Sequence, residues 1–161
     1  MIIVPRMSFA FPETASEPFN YTQILKATDL FPPEYVREAS VARQKMCDTL
    51  HAQPTSLALL ESVEAYLPYL QYILAHYEEQ PREQQVFPRG CKFQWRSSLS
   101  KGIRISLTAT VIEKPMVGVA SLWYEAIYTL LAYAYCLANL ASKKVGGGVS
   151  LQSASEASLS D

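Results

Sequence analysis

The chain has 161 residues, of which 49% are hydrophobic and 18% charged, with a formal net charge of −1. That length suits one domain with enough apolar material for a core, and the balanced charge implies no strongly basic face, which makes nucleic acid an unfavoured partner. Three cysteines, Cys47, Cys91 and Cys136, are odd in number and sit at no disulfide or zinc spacing, which points to a reducing compartment.

Residues 1–19 are punctuated by proline, with Met7, Phe9 and Phe11 on one alternating face. They read as a short extended edge strand, the place in a sheet where proline is tolerated. Pro5 and Arg6 cut the opening apolar run short, so no secretory signal is expected and the cytoplasm is the expected location. A helix is predicted from Pro33, with Tyr35, Ala39, Ala42, Met46 and Leu50 as its core stripe. Glu34, Arg37, Glu38, Arg43, Lys45 and Asp48 are assigned to its solvated surface.

A second helix is predicted from Ser56 to Tyr77, with Leu57, Leu60, Val63, Leu67, Leu70, Ile73, Leu74 and Tyr77 at helical spacing. Pro68 lies inside it and predicts a kink or a break. After the polar connection "PREQQVFPRG", two alternating runs follow: Phe93 and Trp95, then Ile103, Ile105, Leu107 and Ala109. Joined by "SKG", they predict a β-hairpin that must pack on helices or pair with the N-terminal strand. A third helix is predicted with Ser121 as N-cap and Glu125 in its first turn. Lys143 and Lys144 suit its last turn, and Gly146 to Gly148 are expected to stop it. The remainder, 146–161, is rich in Gly and Ser and reads as a disordered tail.

The third helix poses a choice between a membrane span and a core helix. Its uncharged run after Glu125 ends at Ser142, near the lower limit of about 17 residues for a span. Only Ile127, Leu130, Leu131, Leu137 and Leu140 are strongly apolar, and Tyr133 and Tyr135 would sit near mid-bilayer, away from the interface that tyrosine favours. The expectation is a helix buried by protein on all sides. The alternative is a small single-span or tail-anchored protein using residues 117–142.

No chemistry-bearing pattern stands out. Cys91 with His76 as base would need contact and a third orienting group, and no catalytic signature surrounds the cysteine. No zinc, calcium or phosphate-binding pattern is present, so no catalytic residue, metal site or cofactor is expected. "KFQWR" interleaves basic and aromatic residues, but reads as a half-buried strand rather than a nucleic-acid contact. Glu125 reads as an ordinary first-turn acid, although a buried one is the other option.

The order of elements, with "F-x-W" on a strand and "S-L-x-[YF]-E" opening a Leu- and Ala-rich helix, resembles the beginning of the Bro domain, the boomerang-shaped helical module of ESCRT-associated adaptors. Phe93 and Trp95 match the aromatic pair, Ser121, Leu122, Tyr124 and Glu125 match the helix start, and Leu130 matches a recurrent leucine. Arg96 and "FAFPETASEPFNY" resemble the fungal PalC branch. Ala132 stands where the family often has Asn, and the join "TATVIEKPMVG" is longer than usual. The resemblance covers residues 7–142, and a complete Bro domain is more than twice as long as this chain.

The resemblance implies a mainly α fold with a small antiparallel β-sheet, a partial Bro domain over 1–145. It implies a non-enzymatic adaptor that binds an ESCRT-III filament subunit, links it to the alkaline-pH signalling complex, and is recruited peripherally to endosome or plasma membrane. The family's partner groove lies on later helices, so no partner-binding residue is assigned here. Surfaces that later helices would cover are expected to be apolar and to favour self-association.

Overall fold

In a computed structural model, residues 14–25, 31–81, 87–97 and 116–157 are described, with Ser97 and 145–157 described through their backbone. Strand β1 (Thr14–Ser16) leads through a 3-10 turn at Tyr21–Gln23 to α1 (Pro33–Ala52) and α2 (Leu57–Glu79). Strands β2 (Phe93–Ser97) and β3 (Val117–Val119) precede α3 (Leu122–Ala157). Among the described residues the result is an α+β fold, mainly helical, with one three-stranded antiparallel sheet.

Local chemistry sets the helix starts. Pro33 occupies the first position of α1, where its missing N–H costs nothing. Ser56 caps α2, its hydroxyl accepting from the Leu59 N–H at 3.1 Å. The short connection between them makes α1 and α2 antiparallel neighbours. Their facing stripes bury Val36, Ala39, Met46 and Leu50 against Leu59, Leu60, Val63, Tyr66, Leu70 and Ile73. One sequence expectation fails here and another is narrowed. Leu57 is exposed at the end of α2 rather than in its core stripe. Pro68 neither breaks nor ends α2; it is exposed, so the carbonyl that loses its donor lies on the side open to water.

The sheet order is β1-β2-β3, with Trp95 of β2 opposite Ser16 of β1 and Val117 of β3. The period-two reading of β2 holds: Phe93 and Trp95 point into the core while Gln94 and Arg96 are half-buried on the other side. An edge strand near the N-terminus is present as β1, whereas Met7, Phe9 and Phe11 lie outside the described residues. So does the second run of the predicted hairpin, Ile103 to Ala109. The strand that pairs with β2 on its far side is Val117–Val119, in a stretch read from the sequence as a join.

Helix α3 lies against α2 and reaches β2 with its first turns. Among the described residues no helix is long and apolar enough to cross a membrane. Nor is α3 buried on all sides. Leu122, Glu125, Thr129, Ala132 and Cys136 face inward, while Trp123, Ile127, Leu130 and Leu137 are 54%, 59%, 53% and 43% exposed. The helix also passes the predicted stop at Gly146–Gly148 and runs to Ala157. Each glycine costs only about 1 kcal/mol relative to alanine, and extending an existing helix carries no nucleation cost.

Candidate functional site

Two features stand out, one on each face of α3. The inner one begins at Arg43. It lies on the stripe Val36, Ala39, Arg43, Met46, Leu50 and is fully buried, contrary to its assignment to the solvated surface. A buried guanidinium needs a partner, and Glu125, also 0% exposed, supplies it. Arg43 Nε donates to Glu125 Oε1 at 2.8 Å and Nη2 to Oε2 at 3.0 Å, the two-pronged geometry that suits arginine.

The rest of the carboxylate is also used. Tyr66 Oη donates to Oε1 at 3.0 Å and Trp95 Nε1 to Oε2 at 2.6 Å. With its proton committed to Glu125, Tyr66 Oη accepts from the Tyr21 hydroxyl, extending the chain of hydrogen bonds by one residue. Tyr21 is placed by Asn20, which caps the 3-10 turn at Thr22 N (2.9 Å), and by its own N–H donating to Ser40 Oγ on α1 at 3.0 Å.

The remaining donors of Arg43 hold the start of the sheet. Nη1 donates to the Glu17 carbonyl at 2.6 Å and to Cys47 Sγ at 3.4 Å, and Nη2 donates to Ser16 Oγ at 3.0 Å. The guanidinium also lies near the rings of Phe93 (5.3 Å) and Phe19 (5.8 Å). One ion pair thus joins α1, α2, α3, β1, β2 and the 3-10 turn.

The electrostatics follow from burial. For Arg43, burial alone disfavours the charged form, but the Glu125 carboxylate more than offsets it and holds the guanidinium pKa above its usual value. For Tyr21 and Tyr66, burial and then the Glu125 charge both push the phenol pKa well up. The Cys47 thiol is likewise raised, first by burial, although Arg43 opposes the shift. The arrangement clamps elements together; with four donors on a fully buried carboxylate, no face of Glu125 is presented to a substrate.

The sequence-predicted residues fall in several places. Phe93, Trp95, Leu122 and Glu125 meet in the interior. Ser121 caps α3, with Tyr124 N–H donating to its hydroxyl at 3.3 Å, and Tyr124 Oη donates to the Val117 carbonyl at 3.1 Å. Arg96 is half-buried on the outward side of β2, and Leu130 is on the exposed face of α3. Cys91 Sγ donates to Gln23 Oε1 at 3.6 Å, while His76 Nδ1 contacts the Tyr72 carbonyl at 2.9 Å, so each has its own partner. No cluster of three His, Cys, Asp or Glu able to hold a metal occurs among the described residues.

The outer feature is a seam. Trp123, Ile127, Leu130, Ala134, Leu137 and Ala141 are all exposed and recur at alternating steps of four and three, the spacing of a helix–helix contact. Its α2 side is edged by carboxylates. Trp123 Nε1 donates to Glu78 Oε1 at 2.7 Å, and Tyr133 Oη donates to Glu64 Oε1 at 2.6 Å. Compared with protein-family models, curated proteins and solved structures, the chain matches none of them.

Proposed function

We propose that the chain is a non-enzymatic adaptor module, built like the N-terminal portion of a Bro domain. The observation that carries this reading is the contact between Trp95 and Glu125, 2.6 Å apart. These residues belong to the two short motifs on which the resemblance rests, and the contact gives their pairing a physical reason. An indole N–H is matched to a buried carboxylate, so a strand motif and a helix motif are read as one structural unit. The exposed seam on α3 supports the adaptor half of the reading, because a solvent-facing apolar row at helical spacing suits capture of another helix.

In its sharper form the reading takes the partners from the PalC resemblance. The module joins an ESCRT-III filament subunit at the endosome or plasma membrane to the complex that signals alkaline pH. The test is localisation of the tagged native chain in its own cell during a shift to alkaline medium. Recruitment to cortical or endosomal foci that contain ESCRT-III is expected. A chain that stays diffuse, or forms foci without ESCRT-III, overturns the pH-signalling assignment.

A further inference from the structure

We infer that the outer seam of α3 docks one class of partner: an amphipathic helix whose polar flank is basic. The inference rests on the reading of the chain as a protein-binding module, but not on Bro-domain ancestry.

The apolar half of the match comes from α3. Trp123, Ile127, Leu130 and Leu137 are each about half exposed, and Ala134 between them and Ala141 one turn beyond let a second backbone come close. From Trp123 to Leu137 is about 21 Å at 1.5 Å per residue, the length of four turns in a partner. No charged residue interrupts the row: between Glu125, which faces inward, and Lys143, α3 carries none. An uninterrupted seam of this period accepts a helix better than it accepts a strand or an irregular segment.

The polar half comes from α2. Glu64 and Glu78 are fixed at the α2–α3 junction because each accepts a hydrogen bond from an aromatic residue of α3. Glu61 is exposed one turn before Glu64, on the same side of α2. On the opposite flank, Tyr124 and Tyr128 turn toward the sheet: Tyr124 bonds to Val117, and Tyr128 packs on Trp95 with ring centroids 5.6 Å apart. The seam is therefore acidic along the α2 edge and aromatic along the other. A partner helix with Lys or Arg along one flank meets this asymmetry in a single orientation, whereas an acidic flank would be repelled.

The test uses the full chain in fluorescence anisotropy with two labelled probes of about 18 residues, long enough to cover the seam. One is a Leu/Lys amphipathic helix and the other its Leu/Glu counterpart. The Leu/Lys probe is expected to bind at least tenfold more tightly, and its affinity to fall as salt rises. Ile127→Glu with Leu130→Glu should weaken that binding tenfold or more with an unchanged circular-dichroism spectrum. Glu61→Gln with Glu64→Gln keeps an acceptor for Tyr133 and should reduce the preference by about threefold per charge at low salt. Equal binding of the two probes, or Leu/Lys binding indifferent to the Ile127 and Leu130 changes, overturns the inference. So does a concentration-dependent dimer that Ile127→Glu dissociates, since the seam would then belong to a second copy. None of these outcomes bears on recruitment to ESCRT-III foci, so the two readings fail separately.

Discussion

Helix α3 carries Glu125 and Thr129 into the interior and Trp123, Ile127, Leu130 and Leu137 to the surface. Most amphipathic helices do the opposite. The inner row, with Leu122, Ala132 and Cys136, offers modest apolar volume, and apolar attraction is non-directional, so it does not by itself fix a register. The Glu125 carboxylate does. Only one register sets it between Arg43, Tyr66 and Trp95, and any other strands two buried charges. Docking specificity within this fold comes from a paired charge, while the apolar side chains that could have driven docking are left outside.

The inner face depends first on Arg43. Replacing it by methionine keeps much of the volume but leaves Glu125 buried without its countercharge, and removes the Arg43 hydrogen bonds to the Glu17 carbonyl and Ser16 Oγ. Loss of one partner of a buried pair costs about 3–5 kcal/mol. Urea denaturation of Arg43→Met should show a loss of that size. A loss under about 1 kcal/mol, the range of exposed pairs, would mean that the pair is not what fixes the inner face.

A smaller effect comes from the tyrosine relay, and it has a pH signature. Tyr21 and Tyr66 are fully buried, and their phenol pKa values are raised by burial and by Glu125. A raised folded pKa means that the native state keeps its proton where the unfolded chain, titrating near 10, has lost it. That stability is complete below about pH 10 and is lost as pH climbs beyond it, by about 1.4 kcal/mol per pH unit for each tyrosine. Tyr66→Phe should cost about 2 kcal/mol at pH 8, the value of a hydrogen bond to a charged group. It should also flatten the fall between pH 10 and 11.5 by one tyrosine's share. Tyr35 and Tyr124, each pushed up to about 12 chiefly by burial, add to the fall in both proteins and cancel in the comparison. Parallel alkaline slopes for the two proteins would show that Tyr66 is not held neutral by its burial.

Much of this was legible in the sequence. The starts of α1, α2 and α3 follow from Pro33, Ser56 and Ser121, whose chemistry is local. The inward alternation of Phe93 and Trp95 was equally readable. The Arg43–Glu125 pair was not, because it joins residues 82 apart in sequence through elements whose mutual placement no local rule specifies. A signal was nevertheless present. Arg43 is the one charge on the stripe Val36, Ala39, Met46, Leu50, and Glu125 is the one charge on the stripe Leu122, Thr129, Ala132, Cys136. Two lone charges of opposite sign, each on an otherwise uncharged stripe, predict each other across a core. The exposed seam escaped for the opposite reason: hydrophobicity alone says that Ile127 and Leu130 seek cover, without saying whether that cover lies in the described chain. Val117–Val119 is short and contains glycine, so its pairing comes from β2 rather than from its own composition.

On the outer face a substitution should hardly change stability. Ile127 is more than half exposed, and its position in α3 is set by the inner contacts rather than by its own. Substitution at such a site normally changes stability by no more than about 0.5 kcal/mol in either direction, and glutamine is the better helix former of the two. Ile127→Gln should therefore unfold in urea at nearly the wild-type midpoint, with solubility equal or improved as an apolar patch shrinks. A loss above about 1.5 kcal/mol would approach the cost of uncovering a buried isoleucine. Ile127 would then be covered in the folded protein in solution, and the seam would be part of a core instead of a surface awaiting a partner.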